Sequence, residues 1–313
     1  MKKLHEHENE PRVAHLSRAP ALAVQFFLIP LAVVGVVVLF YGGFRMLITT
    51  ERTPDEYLSD IQTGGRERRW PAAYELSRLL SDPNTEVDHP EVGSSIVRAF
   101  SNSIGDDPRV RQYLALAIGR LNRPPADAVS ELVAALGSAE TETQISVIWA
   151  LASLGEISAA THIASLYGSD DAGVRKMAIY ALGALPGGGH IGTLRNGLDD
   201  PTVDVQWNAA VALARHGQND GVSILRRMLD REYVERMVTR SGAPNSGLDP
   251  VSEVIVSGLQ AVSALREVGL REEVRGLSEA DSSLSVRDVA LRALEVLQET
   301  GSGSVEVNEG RTN

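Results

Sequence analysis

Apolar residues recur along most of the chain with the spacing of one helical face. In the segment GVRKMAIYALGAL, Val174 is followed by apolar residues 4, 7, 8 and 11 positions later, and these offsets lie on one side of an α-helix. The pattern begins again at residues 110, 143, 174, 205, 254 and 286, and a degenerate first copy lies at 68–80. Four of the five spacings are 31 to 33 residues, so the chain is predicted to consist of repeated units.

Each unit is predicted to contain two antiparallel helices. Shorter apolar-periodic stretches lie between the longer helices, at 128–137, 161–168, 190–198 and 221–229. An Asp-Pro pair that begins at Asp107, Asp200 or Asp249 predicts an N-cap Asp followed by Pro at the first helical position. The pattern therefore predicts an all-α solenoid of six or seven units over residues 54–298.

The one spacing of 49 residues predicts an insertion at 231–250. Its first half is charged and can form a helix, and its second half, SGAPNSG, predicts a loop. We expect the insertion to protrude and its removal to leave the other helices folded, because each repeat contacts mainly its neighbours.

The segment Asp171–Leu185 fits the pattern D-x-x-V-R-x-x-A-x-x-A-L-G-x-L. Residues 54–298 thereby resemble short HEAT-type repeats of the bilin-lyase-like class. The resemblance implies a right-handed α-solenoid in which the second helix of each unit lines the concave face. Arg175 belongs to this signature, and we expect it to support local packing and charge pairing. The whole layout is similar to that of membrane-anchored HEAT-repeat proteins of bacteria.

An uncharged run of 26 residues, 19–44, lies near the N-terminus. As a helix it would exceed the roughly 30 Å of a bilayer core, so we predict a transmembrane helix between a polar tail, 1–18, and a linker, 45–53. A buried core helix would be shorter, and a cleaved signal peptide would show an A-x-A-like site after Tyr41. The Gly/Ser-rich end, 299–313, is predicted to be disordered.

The charges that flank the run set the predicted orientation. Lys2, Lys3, Arg12 and Arg18 precede it, and Arg45 and Arg52 follow within a comparable distance. Four charges against two place the N-terminus in the cytoplasm and the array outside it. We therefore predict a single-pass inner-membrane protein with an extracytoplasmic array, and a cytoplasmic array is the alternative.

Charge and composition exclude several classes of function. The chain carries 30 basic and 41 acidic side chains; residues 1–50 hold 5 and 3 of them, which leaves a net charge of −13 for residues 51–313. An array this acidic is unsuited to binding a phosphate backbone, so no nucleic acid is expected. The chain has no Cys, which excludes disulfides and Cys-ligated metals.

The sequence shows no constellation of catalytic residues. It has no phosphate loop and no H-E-x-x-H. The run His5-Glu6-His7-Glu8 lies in the polar tail, where solvated charge is the simpler interpretation. The His-Glu pairs that mark an iron-dependent hydroxylase family on HEAT helices occur only in this tail. We predict no metal, no cofactor and no enzymatic activity.

One stripe of residues is unusual for a helix surface. In three consecutive copies of the pattern, which begin at residues 143, 174 and 205, we consider the residues 2 and 6 positions after the start. They are Ile145 and Trp149, Lys176 and Tyr180, and Trp207 and Val211. They predict either an apolar groove for a peptide or helix of a partner protein or side chains buried laterally between helices. The first interpretation makes the chain a membrane-anchored protein-interaction scaffold; a bilin-lyase-like or other ligand-handling enzyme is the alternative.

Overall fold

The computed structural model of the chain describes residues 29–48, 52–82, 90–137, 140–241 and 249–309. The chain divides into two compact units, Met1–Thr53 and Pro54–Asn313. All regular secondary structure in the described residues is helical, which confirms the predicted all-α class.

The described part of the first unit contains one helix, α1, Ile29–Ile48. Leu31, Phe40 and Tyr41 on this helix are exposed. Within the part of the chain that the structure describes, no helix combines the length and the hydrophobicity needed to cross a membrane. The structure thus does not support the predicted transmembrane helix, which stays a prediction from the sequence. Residues 1–28, with the polar tail and the start of the predicted span, lie outside the described residues.

The described helices of the second unit form consecutive pairs, as the repeated pattern predicts. The pairs are α2 Pro54–Thr63 with α3 Arg66–Leu79, α4 Pro90–Asn102 with α5 Pro108–Ile118, α6 Ala128–Ala135 with α7 Thr141–Ser153, α8 Ala160–Ser165 with α9 Ala172–Ala184, α10 Ile191–Gly197 with α11 Val203–Arg215, α12 Val222–Met228 with α14 Pro250–Leu265, and α15 Arg271–Ala280 with α16 Leu284–Glu309. One further helix, α13, Arg231–Ser241, lies between α12 and α14.

The second helices of successive pairs pack against one another in order, from α3 through α5, α7, α9, α11 and α14 to α16. Small residues at the contacts allow a close approach. A Cβ atom on Gly183 would lie 2.5 Å from the Cβ of Ala212, and one on Gly119 would lie 2.7 Å from the Cα of Ala150. This close packing buries an apolar core in two clusters, one from α2 to α11 and the other from α11 to α16.

Two of the three predicted Asp-Pro helix starts are confirmed. The carboxylate of Asp107 accepts a hydrogen bond from the Arg109 amide, and that of Asp249 accepts one from the Val251 amide. The prediction for Asp200 is wrong, because α11 begins only at Val203. Asp200 is instead buried beside Arg175.

The inserted segment differs from the expected protrusion. Val234 on α13 is fully buried, and Arg231 at its start forms an ion pair of 2.7 Å with the buried Asp281. Because α13 packs against α12 and α14, this half of the insertion is part of the array. Residues 242–248 of the predicted loop lie outside the described residues.

The end of the chain also differs from the prediction. Helix α16 runs to Glu309 and includes residues 299–309, where the sequence predicts a disordered tail. Gly301 and Gly303 lower helix propensity by about 1 kcal/mol each relative to Ala, a cost that does not forbid a helical backbone.

Candidate functional site

A groove of about 600 Å³ lies along the second helices in the middle of the array. Five of the six residues in the predicted stripe line it, and Ile145 does not. The five are Trp149, Lys176, Tyr180, Trp207 and Val211. The structure therefore brings the stripe together into one concave site.

Helical register explains why these residues meet. Lys176 and Tyr180 are the fifth and ninth residues of α9, and Trp207 and Val211 hold the same two positions on α11. Trp149 is the ninth residue of α7. Residues four apart lie on one helical face, and stacked repeats place the same face of each helix on the same side of the array.

The groove has a buried floor and an accessible rim. Trp207 is 5% exposed and belongs to the core. Trp149 is half-buried, with its ring against Gly119 and 5.2 Å from the guanidinium carbon of Arg120. Tyr180 is 39% exposed. Trp207 is therefore buried between helices, as one interpretation of the stripe predicts. Tyr180 is part of an open aromatic surface, as the other predicts.

Several lining residues were not predicted. Arg215 lies one helical turn after Val211 on α11, on the same face as Trp207 and Val211. The sequence shows this spacing, but an apolar stripe does not suggest a charged residue. Glu253 on α14 and Val238 on α13 also line the groove. Their contribution could not be predicted, because it depends on how the inserted helix packs.

The charged groups of the groove are unequally paired. Lys176 Nζ lies 3.5 Å from Asp204 Oδ2. The guanidinium carbon of Arg215 lies 5.9 Å from the centre of the Tyr180 ring, and the described residues provide it with no ion pair. The indole Nε1 of Trp207 is buried and has no hydrogen-bond partner among the described residues. The groove thus combines aromatic faces with unused donors.

Arg175 has the structural role expected from the repeat signature. Its Nε and Nη2 donate to the two carboxylate oxygens of Asp200 over 2.9 and 3.1 Å. Burial would raise the pKa of Asp200, but the hydrogen bonds from Arg175 and from the Thr202 amide outweigh it and lower the pKa below its usual value. The pair joins neighbouring repeats and does not line the groove.

His190 and His216 form a second polar cluster, outside the groove. Their Nε2 atoms lie 3.3 Å apart, and His216 Nε2 lies 3.1 Å from the Leu182 carbonyl oxygen. These two histidines lie 26 residues apart in the sequence, and nothing in the sequence indicates that they meet. Among the described residues no three His, Asp or Glu side chains are grouped to hold a metal ion, and the His5–Glu8 run lies outside them.

Residues 97–183 and 163–241 match the family of HEAT repeats. The chain contains HEAT repeats. The matched HEAT repeats include α7, α9 and α11, which carry most of the groove. No curated protein sequence matches the chain.

Three solved structures match the chain to different degrees. The complex of CpcE and CpcF of phycocyanin lyase from Nostoc sp. PCC7120 matches with a TM-score of 0.53 at 17% identity, over 80% of this chain and 96% of that chain. A designed armadillo repeat protein in complex with the peptide (KR)4 gives a TM-score of 0.40 at 17% identity, over 78% and 98%. Human deoxyhypusine hydroxylase gives 0.35 at 16%, over 79% and 96%. The first match shows that the HEAT array shares its fold with one chain of that complex.

Proposed function

We propose that the chain is a non-enzymatic scaffold that binds a protein partner in the groove of its HEAT array. The observation that carries the proposal is the assembly of Trp149, Tyr180 and Val211, from three successive second helices, into one concave surface. Large aromatic side chains around a concave apolar surface are typical anchors for a peptide or helix of a partner.

The residues that line the groove favour recognition of a partner over catalysis. Its floor is fixed by the buried Trp207, and its rim offers the accessible ring of Tyr180. A rigid floor lowers the entropy lost on binding. The titratable groups that line the groove are Lys176, Tyr180, Asp204, Arg215 and Glu253, without a histidine. This lining supports contacts with a partner.

The proposal includes a membrane anchor at residues 19–44, which holds the scaffold in a membrane complex. Its support is the uncharged run of 26 residues and the length criterion for a spanning helix. The imbalance of Lys and Arg around this run supports an array on the extracytoplasmic side of a bacterial-type inner membrane; a cytoplasmic array is the alternative.

A ligand-handling enzyme of the HEAT-repeat class is the second candidate. A volume of about 600 Å³ also suits a small molecule, and the fold is shared with a phycocyanin lyase complex. The two candidates differ in what occupies the groove, so a measurement of partner capture separates them.

The test compares two exposed tyrosines. Tyr180→Ala removes an aromatic anchor from the rim, whereas Tyr74→Ala removes a ring of similar exposure, 41%, outside the groove. We expect Tyr180→Ala to weaken capture of the partner from solubilised membranes by about 2 kcal/mol, or roughly 30-fold, with a melting temperature close to that of Tyr74→Ala. Equal capture by both variants would contradict the proposal.

A further inference from the structure

Two donors in the groove have no acceptor among the described residues. Trp207 Nε1 is buried in a side chain that is 5% exposed. A buried N–H without an acceptor loses its hydrogen bond to water and gains nothing in return. Arg215 lies on the rim without an ion pair and rests on the Tyr180 ring. Both side chains belong to α11 and lie two helical turns apart on one face.

The other charges of the groove are arranged differently. Lys176 and Asp204 neutralise each other across 3.5 Å. Glu253 lies in the first turn of α14, and Arg215 lies in the last turn of α11. A ligand carboxylate placed on Arg215 would gain a charge-assisted hydrogen bond, whereas a carboxylate beside Glu253 would be repelled.

We propose that the groove binds a peptide segment in which one acidic residue stands among apolar side chains, with its carboxylate on Arg215. This inference rests on the proposed function and names its partner by chemistry. The apolar side chains cover Tyr180 and Val211, and the buried ring of Trp207 forms the floor beneath them. An Arg–carboxylate pair is frequently bidentate, which fixes the register of the segment as well as attracting it.

The negative charge of the array does not prevent this recognition. Residues 51–313 carry a net charge of −13, but charges farther away than about 8 Å are largely screened at physiological ionic strength. Contact with Arg215 is therefore decided locally. A second acidic residue of the peptide would meet the negative charge of Glu253, which also lines the groove, so the enriched peptides should carry one acidic residue rather than a run.

The test uses random twelve-residue peptides displayed on phage and selected on the full-length chain. The variant Arg215→Glu reverses the charge on the rim. Its matched control is Arg227→Glu, because Arg227 is also exposed, lies in the last turn of α12 and rests on a tyrosine ring, that of Tyr233, at 5.8 Å. Arg227 does not line the groove.

We expect the wild-type chain and Arg227→Glu to enrich peptides with one Asp or Glu among apolar residues, and Arg215→Glu to enrich Lys or Arg at that position. A synthetic wild-type winner should bind Arg215→Glu at least tenfold more weakly than it binds Arg227→Glu. If Arg215→Glu has a lowered melting temperature, Arg215→Gln takes its place, with the same expected loss of acidic peptides.

The outcomes separate this inference from the proposed function. Two results would overturn the inference and leave the docking groove intact. In the first, the selected peptides require Tyr180 but show no preference for acidic residues. In the second, Arg215→Glu selects the same acidic peptides as the wild-type chain. Selection that yields no peptide dependent on Tyr180 overturns both.

Discussion

The buried imidazole of His190, which lies against His216, links the stability of the array to pH. Burial and the neighbouring His216 lower the pKa of His190 below its usual value. The folded pKa therefore lies below the unfolded value of about 6.5. Below that pH the unfolded chain binds more protons, so stability that is fully present above about pH 6.5 is lost as the pH falls towards the folded pKa.

We expect the melting temperature to drop between pH 7.5 and pH 5.5, and His190→Gln to reduce that drop. His162→Gln serves as the control, because His162 is exposed and its removal should leave the pH dependence unchanged. The measurement is thermal unfolding followed by circular dichroism across this range. An identical pH dependence in His190→Gln and the wild type would show that the pair has no such role.

Individual residues differ in how far the sequence could predict them. The position of Tyr180 on the groove follows from helical register alone. The burial of Trp207 does not, because its neighbours in the core, such as Met228 and Ile255, come from α12 and α14. The following Pro201 made Asp200 a predicted N-cap residue. Only the three-dimensional packing shows that its carboxylate forms an ion pair with Arg175.

At the scale of elements, the inserted helix α13 is the main departure from the repeat pattern. The sequence places an insertion there and indicates a helix, but the spacing cannot show whether that helix leaves the array or packs into it. The helix packs into the array, because Val234 is buried and Arg231 forms an ion pair with Asp281. The second helices were predictable because their 3.6-residue periodicity is strong. Most first helices are shorter than their partners, with seven residues in α10 and α12, and their limits were less evident.

We therefore expect Val234→Ala to lower the free energy of unfolding by about 2 kcal/mol through the cavity that it leaves. Arg236→Ala on the same helix removes an exposed side chain and should have little effect. Deletion of residues 231–250 should destabilise the chain more than Val234→Ala does. Chemical denaturation of the three variants measures this, and a deletion as stable as the wild type would restore the picture of a removable protrusion.

At the scale of the whole molecule, the proposed function combines a HEAT array, an interaction groove and a membrane anchor. Repetition made the array predictable, since one apolar pattern specifies every unit and successive units bury a continuous core. The groove arises where that repetition is broken, because α13 and α14 complete the surface that α7, α9 and α11 begin. A sequence pattern can predict the regular part of such a surface but not the part that an insertion contributes.

Photo-crosslinking in intact cells shows whether a protein partner occupies the groove. A photoreactive amino acid replaces Tyr180 in the groove or, as the control, Ile157, which is 55% exposed and lies outside the groove. The account predicts a discrete protein adduct from position 180 but not from position 157, recovered in membranes that have been washed with alkaline carbonate. Absence of a protein adduct at position 180, or the same adduct at both positions, would contradict a docking groove, and recovery of the adduct in the soluble fraction would contradict the anchor.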